Sequence, residues 1–234
     1  MKIALTSIVR NGIGYLDRYA QQVDSLARAL YLSREDDLTV YIAEGDSTDG
    51  TWEWLQSWHQ DRRVGDFSVK MIKADHGGPV FGSVDDSIRW RNIARTWNKL
   101  YRFVGIDRPD ATIYIEADLV WDAETMLKLL SHLERVPAVA PMSMYHSTSG
   151  IFYDTWGHRG LDGVHFEPYP PYHSSLEGQG DRLVQISSAG SCKVLRGGIV
   201  GQCWFSEVDA MLGHDLYAKG FSLWLDPSSY VVHP

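Results

Sequence analysis

Apolar and polar residues alternate along the first half of the chain with the two periods typical of strands and helices. Near-continuous or alternating apolar runs predict four strands, at 2–9, 38–43, 67–72 and 112–115. Apolar residues at helical spacing predict the helices between them, which start at Leu16, after Thr51 and near Asp85. A strand–helix–strand order predicts parallel pairing through right-handed crossovers, so this half should form an α/β sheet.

The second half continues this pattern with one interruption. Four more strands are predicted, at 136–142, 192–200, 223–227 and 230–233. Asp122 begins one further helix, and the capping pair Ser206 and Asp209 opens another, with Val208, Leu212 and Leu216 on one face. The interruption, residues 145–188, lacks a sustained period but holds many aromatic residues. Disordered segments are short of aromatics, so we expect an ordered, functional loop.

Composition narrows the class of protein. The 234 residues, 44% of them hydrophobic, suit one sizeable domain. The net charge is −8 and no run rich in lysine and arginine occurs, which argues against strong electrostatic binding to nucleic acid or to an anionic membrane. The two cysteines lack metal-site spacing, and no signal-peptide pattern or stretch of transmembrane length is present. We therefore expect a cytoplasmic protein without integral membrane association.

Two carboxylates one residue apart, Glu116 and Asp118, follow the strand at 112–115. Ligands of open α/β sheets bind just outside the carboxyl ends of the strands. Acidic groups at such a place suit a divalent cation, and ligation by oxygen alone favours Mg²⁺ or Mn²⁺. The alternative is that both residues only open a surface turn.

A denser acidic group follows the second strand, in the stretch Glu44-Gly-Asp46-Ser-Thr-Asp49-Gly-Thr. Aspartate and serine at a strand-to-helix junction are good N-caps, which is one explanation. Three acids within six residues exceed what capping needs. At a carboxyl strand end they can also accept hydrogen bonds from a uracil or guanine edge and from ribose hydroxyls.

The order of strand, Arg-Asn loop, helix, strand and Asp-Ser-x-Asp-Gly-Thr resembles the sugar-nucleotide half of GT-A glycosyltransferases. The resemblance makes Glu116-Ala-Asp118 the family's Asp-x-Asp motif, with glutamate in place of the first acid. It implies that Asp118 binds the metal and that Glu116 lies nearer the ribose or a metal-bound water. It also implies that Asp46 contacts the base, and it places Arg10 and Glu44 in the nucleotide-sugar site.

Two further stretches carry the same resemblance. Arg91-Asn92-Ile-Ala resembles the Arg-Asn-x-Ala stretch that precedes the metal motif, so Arg91 or Asn92 would reach the donor's diphosphate or base. A solvated basic helix face is the alternative. His233 follows the final strand, where a histidine frequently completes the metal site of this fold. One imidazole beside Asp118 favours Mn²⁺ somewhat over Mg²⁺.

The loop at 145–188 is expected to line the acceptor side. Phe-Tyr153-Asp-Thr-Trp156-x-x-Arg159 resembles a motif of α-mannosyltransferases of the cryptococcal capsule type, although Gly160 breaks the motif's ending. Tyr153 and Trp156 would stack on a sugar, and Arg159 would bind hydroxyls or a phosphate. Alternatively, the aromatic rings only pack the loop onto the sheet.

Asp215 is the candidate catalytic acid. It matches the second acid of a pair that GT-A enzymes carry on a helix facing the acceptor, with His214 in place of the first. Such an acid is the base in inverting members. In retaining members, which the Phe-Tyr-Asp-Thr-Trp motif resembles, it would instead orient the acceptor. A surface His–Asp pair is the simpler alternative.

Together these features predict one α/β domain over 1–234, a GT-A (Rossmann-like) fold with a mixed, mostly parallel sheet. A nucleotide-sugar half is expected at 1–121 and an acceptor half at 122–234. The expected activity is that of a metal-dependent hexosyltransferase, which moves a sugar from a UDP- or GDP-sugar to a hydroxyl of a glycan. Transfer to a modified nucleobase in DNA, nucleotidyl transfer and non-catalytic sugar binding are the alternatives. A nucleotidyltransferase normally carries a Gly-rich loop with a basic residue after the first strand, where only Arg10-Asn-Gly stands here.

Overall fold

The computed structural model describes residues 1–34, 36–60, 67–82, 85–146, 150–208 and 211–234. Its strands are β1 Lys2–Val9, β2 Asp37–Glu44, β3 Phe67–Lys73, β4 Ala111–Ile115, β5 Ala138–Tyr145, β6 Ile151–Phe152, β7 Val184–Ile186, β8 Cys192–Arg196 and β9 Leu223–His233. Its α-helices are α1 Leu16–Arg34, α2 Thr51–Gln60, α3 Ser87–Asp107, α4 Ala123–His132 and α5 Gly213–Ala218. None of the helices in these ranges combines the length and apolar character required to cross a lipid bilayer.

One mixed, mostly parallel sheet has the order β3-β2-β1-β4-β8-β5-β9-β7, with β6 paired to β5. Strands β1 to β4 are mutually parallel, as the strand–helix–strand order predicts. β8 is antiparallel to both β4 and β5, so β5 runs in the same direction as β4, and β9 is parallel to β5. The carboxyl ends of β1 to β5 and of β9 therefore meet at one edge of the sheet, which we call the carboxyl edge.

Helices cover both faces of the sheet because each carries one apolar stripe. The stripe of α1 has the spacing predicted from sequence and is buried in one core with Leu16, Tyr19, Val23, Leu26 and Leu30. On the other face α3 buries Trp97, whose ring stacks on Phe205 with centroids 5.4 Å apart. The sheet is thus held between two helical layers, and its carboxyl edge is the place where this architecture binds ligands.

The late helix differs from the prediction. Ser206 is not helical, Val208 is 81% exposed, and α5 begins only at Gly213, so a helix opened at Ser206 is wrong. The Ser206 hydroxyl accepts the backbone N–H of Val208 at 3.2 Å, a local turn that competes with helix formation. Asp209, the second residue of the predicted capping pair, lies outside the described residues.

The two predicted closing strands form one strand, β9, with a bulge. Its register against β5 passes from Asp226 opposite Pro141 to Tyr230 opposite Met142, so residues 227–229 bulge out. The buried carboxylate of Asp226 holds this bulge by accepting the backbone N–H of Ser228 at 3.0 Å. Because the strand continues past the bulge, it brings the end of the chain to the carboxyl edge.

The segment predicted as an aromatic loop packs closely on the sheet in its described part. Phe152 and Phe166 are each 1% exposed. The Tyr153 backbone N–H donates to the Ser143 carbonyl at 2.8 Å, which continues the contact made by β6. The aromatic residues thus hold an irregular chain against β5.

Candidate active site

Two adjoining cavities lie at the carboxyl edge, of about 240 Å³ and about 340 Å³. The first lies between the ends of β1, β2 and β3 and the first turns of α3. The second lies between the end of β4, the start of β8 and the aromatic loop. Arg89 and Ile93 line both cavities, so the two form one cleft with two lobes.

The first cavity brings together several residues that the sequence predicts for nucleotide-sugar binding. Arg10, Asp46 and Asn92 all line it, together with Asn11 and His76. Its wall needs a close approach of the strand ends, because a Cβ at Gly45 would collide with the carbonyl oxygen of Ala74. The cavity is somewhat smaller than the about 300–1,000 Å³ usual for small-molecule pockets, and it opens into the second one.

Asp46 is fixed at the mouth of this cavity. Its backbone is left-handed, with φ of 55°. Its carboxylate accepts the backbone N–H groups of His76 at 2.8 Å and Gly77 at 3.1 Å. These bonds, that of His76 first, lower the pKa of Asp46, so the group stays ionised. An ionised carboxylate there can accept hydrogen bonds from a base or a ribose.

Glu44 supports the loop rather than lining the cleft. Its side chain is fully buried and pairs with the Lys73 ammonium at 2.5 Å. It also accepts the backbone N–H of Ser47 at 3.0 Å. Glu44 is absent from the lining of both cavities, so the structure does not bring it to the site predicted for it.

The predicted metal ligands do come together. An isolated bridge between Val120 and Val232 sets the end of β9 beside the turn that follows β4. As a result His233 Nε2 lies 3.5 Å from Asp118 Oδ2. Helix α1 braces the same turn, since Arg18 Nη2 donates to the Asp118 carbonyl at 2.5 Å.

Glu116 completes an acidic group with Asp118 and Asp154. It is partly buried and lines the second cavity. Burial, followed by the charges of Asp118 and Asp154, raises the pKa of Glu116 to about 8. A cation would relieve this repulsion, so the oxygen and imidazole donors fit a divalent metal. No group of three or more His, Cys, Asp and Glu in the described chain is placed to hold a metal, so a metal bound here would need further ligands from a substrate or water.

Of the three residues predicted for the acceptor side, Tyr153 and Trp156 line the cleft and Arg159 does not. Tyr153 lines the second cavity, and its ring stacks on His233 with centroids 3.9 Å apart. Trp156 lines the same cavity, is 40% exposed, and stacks on Trp90 of α3 at 5.9 Å. The Arg159 guanidinium lies 5.9 Å from the Trp156 ring centroid, but Arg159 lines neither lobe of the cleft.

Helix α3 presents a different arginine from the one predicted. Arg91 points to Glu207, with Nε 4.0 Å from its carboxylate, and lines neither lobe. Arg89 lines both lobes instead. Helical spacing is the signal that could have identified Arg89. With the helix capped at Asp86, residues 89, 92, 93 and 96 lie on the one face of α3 that lines the first lobe. Of the two residues that the resemblance to Arg-Asn-x-Ala offers, Asn92 lines the first lobe and Arg91 lies outside both lobes.

Asp215 lies outside the cleft. Its Oδ2 accepts the backbone N–H of Trp204 at 2.7 Å and pairs with Lys219 at 3.1 Å. It lines neither lobe. Because α5 starts late and is six residues long, this acid faces the segment at 202–204 and not the second cavity. The structure therefore does not bring Asp215 to the other predicted residues.

Asp154, which sequence reasoning passed over, anchors the aromatic loop. Its carboxylate accepts the Ser191 backbone N–H at 2.9 Å, the Ser191 hydroxyl at 2.8 Å and the Gly157 N–H at 2.9 Å. Burial alone would raise the pKa of Asp154, but hydrogen bonds from His158 and Ser191 lower it overall. The Ser191 carbonyl in turn accepts the Glu116 N–H at 3.0 Å. The loop and the acidic strand end are thus tied together.

No family model matches the sequence, and no curated protein is similar to it at a significant level. Solved structures with the same fold do match. The mannosyltransferase PcManGT from Pyrobaculum calidifontis, in complex with GDP-Man and Mn²⁺, gives a TM-score of 0.58 at 12% identity, over 98% of this chain and 56% of that one. GalNAc-T7 with UDP, GalNAc and Mn²⁺ gives 0.63 at 13% identity, over 100% of this chain and 44% of that one.

A third match is UTP-bound UGPase from Acinetobacter baumannii, with a TM-score of 0.52 at 9% identity, over 100% of this chain and 88% of that one. The chain spans about half the length of the two transferases. At such identities the likeness establishes the fold alone, which is that of GT-A glycosyltransferases.

Proposed function

We propose that this domain is a metal-dependent glycosyltransferase, which transfers a sugar from a UDP- or GDP-sugar to a hydroxyl of a glycan acceptor. The observation that carries the proposal is the pairing of Asp118 with His233, 3.5 Å apart. Neither residue lines the cleft itself, but the His233 ring stacks on Tyr153, which lines the second lobe. The first lobe is lined by Arg10, Asp46 and Asn92. Solved structures of the same fold hold UDP or GDP-Man together with Mn²⁺.

The first lobe is assigned to the nucleoside. Asp46 accepts hydrogen bonds from the base or ribose, and its orientation is set by the backbone of His76 and Gly77. Asn92 offers an amide with both donor and acceptor atoms on the same lobe. Arg10 is partly engaged, since Nη2 donates to the Gly78 carbonyl at 3.0 Å. Glu44 keeps this loop in place from beneath.

Asp118 and His233 are assigned to the metal, and Glu116 to the ribose or a metal-bound water. A mixed oxygen and nitrogen donor set favours Mn²⁺ over Mg²⁺. When bound, the metal neutralises the diphosphate and stabilises it as a leaving group. Tyr153, stacked on His233, and Arg18, bonded to the Asp118 carbonyl, hold the two ligands in position.

In the proposed reaction the bond between the anomeric carbon and the diphosphate oxygen breaks, and its electron pair stays with the nucleoside diphosphate. The acceptor oxygen bonds to the anomeric carbon and loses its proton. Tyr153 and Trp156 border the second lobe, where the donor sugar and the acceptor would meet. Aromatic faces at such a place stack on sugars and exclude water. Asp215 has no part in this assignment because it lies outside the cleft.

Nucleotidyl transfer is less well supported, because it needs backbone amides that cradle a triphosphate. After β1 those amides are already engaged. The N–H of Asn11 donates to the Ser47 hydroxyl, that of Gly12 to the Thr51 hydroxyl, and that of Ile13 to Asp49. Transfer to a DNA base would need phosphate contacts that a chain of net charge −8 without a basic run does not offer.

The test is incubation of the protein with Mn²⁺ and UDP- or GDP-sugars, alone and with neutral oligosaccharides. We expect slow donor hydrolysis, faster release of UDP or GDP when an acceptor is present, and neither activity in Asp118→Asn. A protein that binds oligosaccharides but no nucleotide would be a sugar-binding module. Pyrophosphate release from UTP or GTP with a sugar phosphate would instead establish a nucleotidyltransferase.

A further inference from the structure

We infer that Arg89 binds the donor diphosphate across the junction of the two lobes and stabilises it as it leaves. The inference rests on the proposed function and adds a residue that neither the sequence motifs nor the fold assigns. It assigns the diphosphate to Arg89 and not to Arg91, which the motif resemblance offers as an alternative to Asn92.

The position of Arg89 carries the inference. Among the described residues, two line both the first lobe (the nucleoside lobe) and the second lobe (the acidic lobe, with Asp85, Glu116 and Asp154): Arg89 and the apolar Ile93. A nucleotide sugar that places its nucleoside in the first lobe and its sugar in the second must pass this junction with its diphosphate. Arg89 shares the lining of the second lobe with Glu116 and Tyr153.

Charge gives a second reason. Of the described residues that line the acidic lobe, Arg89 is the one cation, while Asp85, Glu116 and Asp154 are acidic. A diphosphate brings further negative charge into this lobe, and a single divalent cation held by Asp118 and His233 would offset only part of it. An arginine at the junction offsets the remaining repulsion, and its planar fork matches two phosphate oxygens at once.

The guanidinium is also held in place. It lies 4.4 Å from the ring centroid of Trp90, a cation–π contact. Trp90 is fixed in turn, since its Nε1 donates to Asp85 at 2.8 Å and its ring stacks on Trp156 with an interplanar angle of 5°. An arginine held in this way loses little side-chain entropy when it binds an anion.

The chain offers a matched control on the same helix. Arg91 is two positions away, carries the same charge, and lies outside both lobes next to Glu207. Any effect of removing positive charge from α3 in general should appear in Arg91→Ala as well as in Arg89→Ala. An effect through the diphosphate should appear only in Arg89→Ala.

The experiment is titration of UDP, GDP, uridine and guanosine into wild type, Arg89→Ala, Arg89→Lys and Arg91→Ala in the presence of Mn²⁺. Charge-assisted bonds to phosphate lead us to expect at least about tenfold weaker binding of the better diphosphate to Arg89→Ala. Arg89→Lys should be intermediate, because it keeps the charge but not the fork. Binding of the matching nucleoside should be unchanged, and Arg91→Ala should match wild type throughout. Thermal unfolding of each variant confirms that it is folded.

Wild-type diphosphate affinity in a folded Arg89→Ala protein would overturn the assignment while leaving the proposed function intact. Equal loss of diphosphate and nucleoside binding would also overturn it, because Arg89 would then only shape the lobe. If wild type itself binds neither UDP nor GDP, the proposed function fails and this assignment fails with it.

Discussion

The ring of Tyr153 stacks on the imidazole of His233, with centroids 3.9 Å apart and planes inclined by 14°. The two residues come from the aromatic loop and from the last strand, and the stack orients a ring whose Nε2 faces Asp118 at 3.5 Å. Tyr153 is predicted from sequence as a sugar-stacking residue. In the structure one of its faces already positions a metal ligand.

This stack leads to a prediction about metal affinity. Tyr153→Leu should weaken Mn²⁺ binding in the presence of UDP or GDP about two- to tenfold, because an aromatic pair contributes about 0.5–1.5 kcal/mol beyond buried area. Tyr153→Phe keeps the ring and should bind Mn²⁺ as wild type does. Calorimetric titration of Mn²⁺ measures both. If Tyr153→Leu keeps wild-type Mn²⁺ affinity and only raises the acceptor KM, the residue binds the acceptor and does not support His233.

A second prediction concerns Asp215. Asp215→Asn should keep transfer within a few-fold of wild type, because its carboxylate is engaged by Trp204 and Lys219 outside the cleft. Loss of those contacts should lower the Tm, by about 2–4 °C for each kcal/mol lost in a domain of this size. Measured rates and melting curves separate the two effects. A fall in rate of about 10²–10⁴ with an unchanged Tm would restore Asp215 as a general base.

A third prediction concerns acid stability through Asp226, which lies 1% exposed beneath the β9 bulge. Burial alone would raise the pKa of Asp226, but hydrogen bonds from Ser228, Ser229 and His132 outweigh it and hold the pKa well below its usual range. The folded state therefore favours the ionised form. Its stabilising effect is complete above the unfolded pKa of about 3.9 and is lost as the pH falls below that value.

Asp226→Asn should accordingly lower the free energy of unfolding near neutral pH by about 1.5–3 kcal/mol and should lose less stability than wild type on acidification. The exposed Asp181 offers the control, since Asp181→Asn should leave both quantities unchanged. Urea unfolding at neutral and acid pH measures them. Equal acid sensitivity in wild type and Asp226→Asn would show that other carboxylates govern the acid limb.

The sheet is well predicted from sequence because its strands are short apolar runs and its helices have clear stripes. The spacing from Leu16 to Leu30 predicts the buried face of α1, and the run at 112–115 predicts β4. The meeting of Asp118 with His233 is also predicted, although only through a family resemblance. Residues 115 positions apart show no local signal of contact.

The differences between the predicted and the observed positions of site residues have physical causes. Asp215 and Arg91 are predicted from motif position, but the direction of a side chain on a helix depends on where that helix starts. Helix α5 begins at Gly213 and Asp86 caps α3. As a result Asp215 lies outside the cleft, and Arg89 lines it where Arg91 does not. Glu44 is predicted to bind the nucleotide sugar, yet its partner Lys73 lies on another strand, and local spacing cannot reveal that pairing.

The central claim, metal-dependent binding of a nucleoside diphosphate at Asp118 and His233, is tested most directly by calorimetric titration of UDP and GDP into wild type and Asp118→Asn, each with Mn²⁺ and with EDTA. We predict that wild type binds one of the two diphosphates at least about tenfold more tightly with Mn²⁺ than with EDTA. Asp118→Asn, folded by its melting curve, should lose that difference. Binding that is equal with Mn²⁺ and with EDTA, or Mn²⁺-dependent binding that persists in Asp118→Asn, would contradict it.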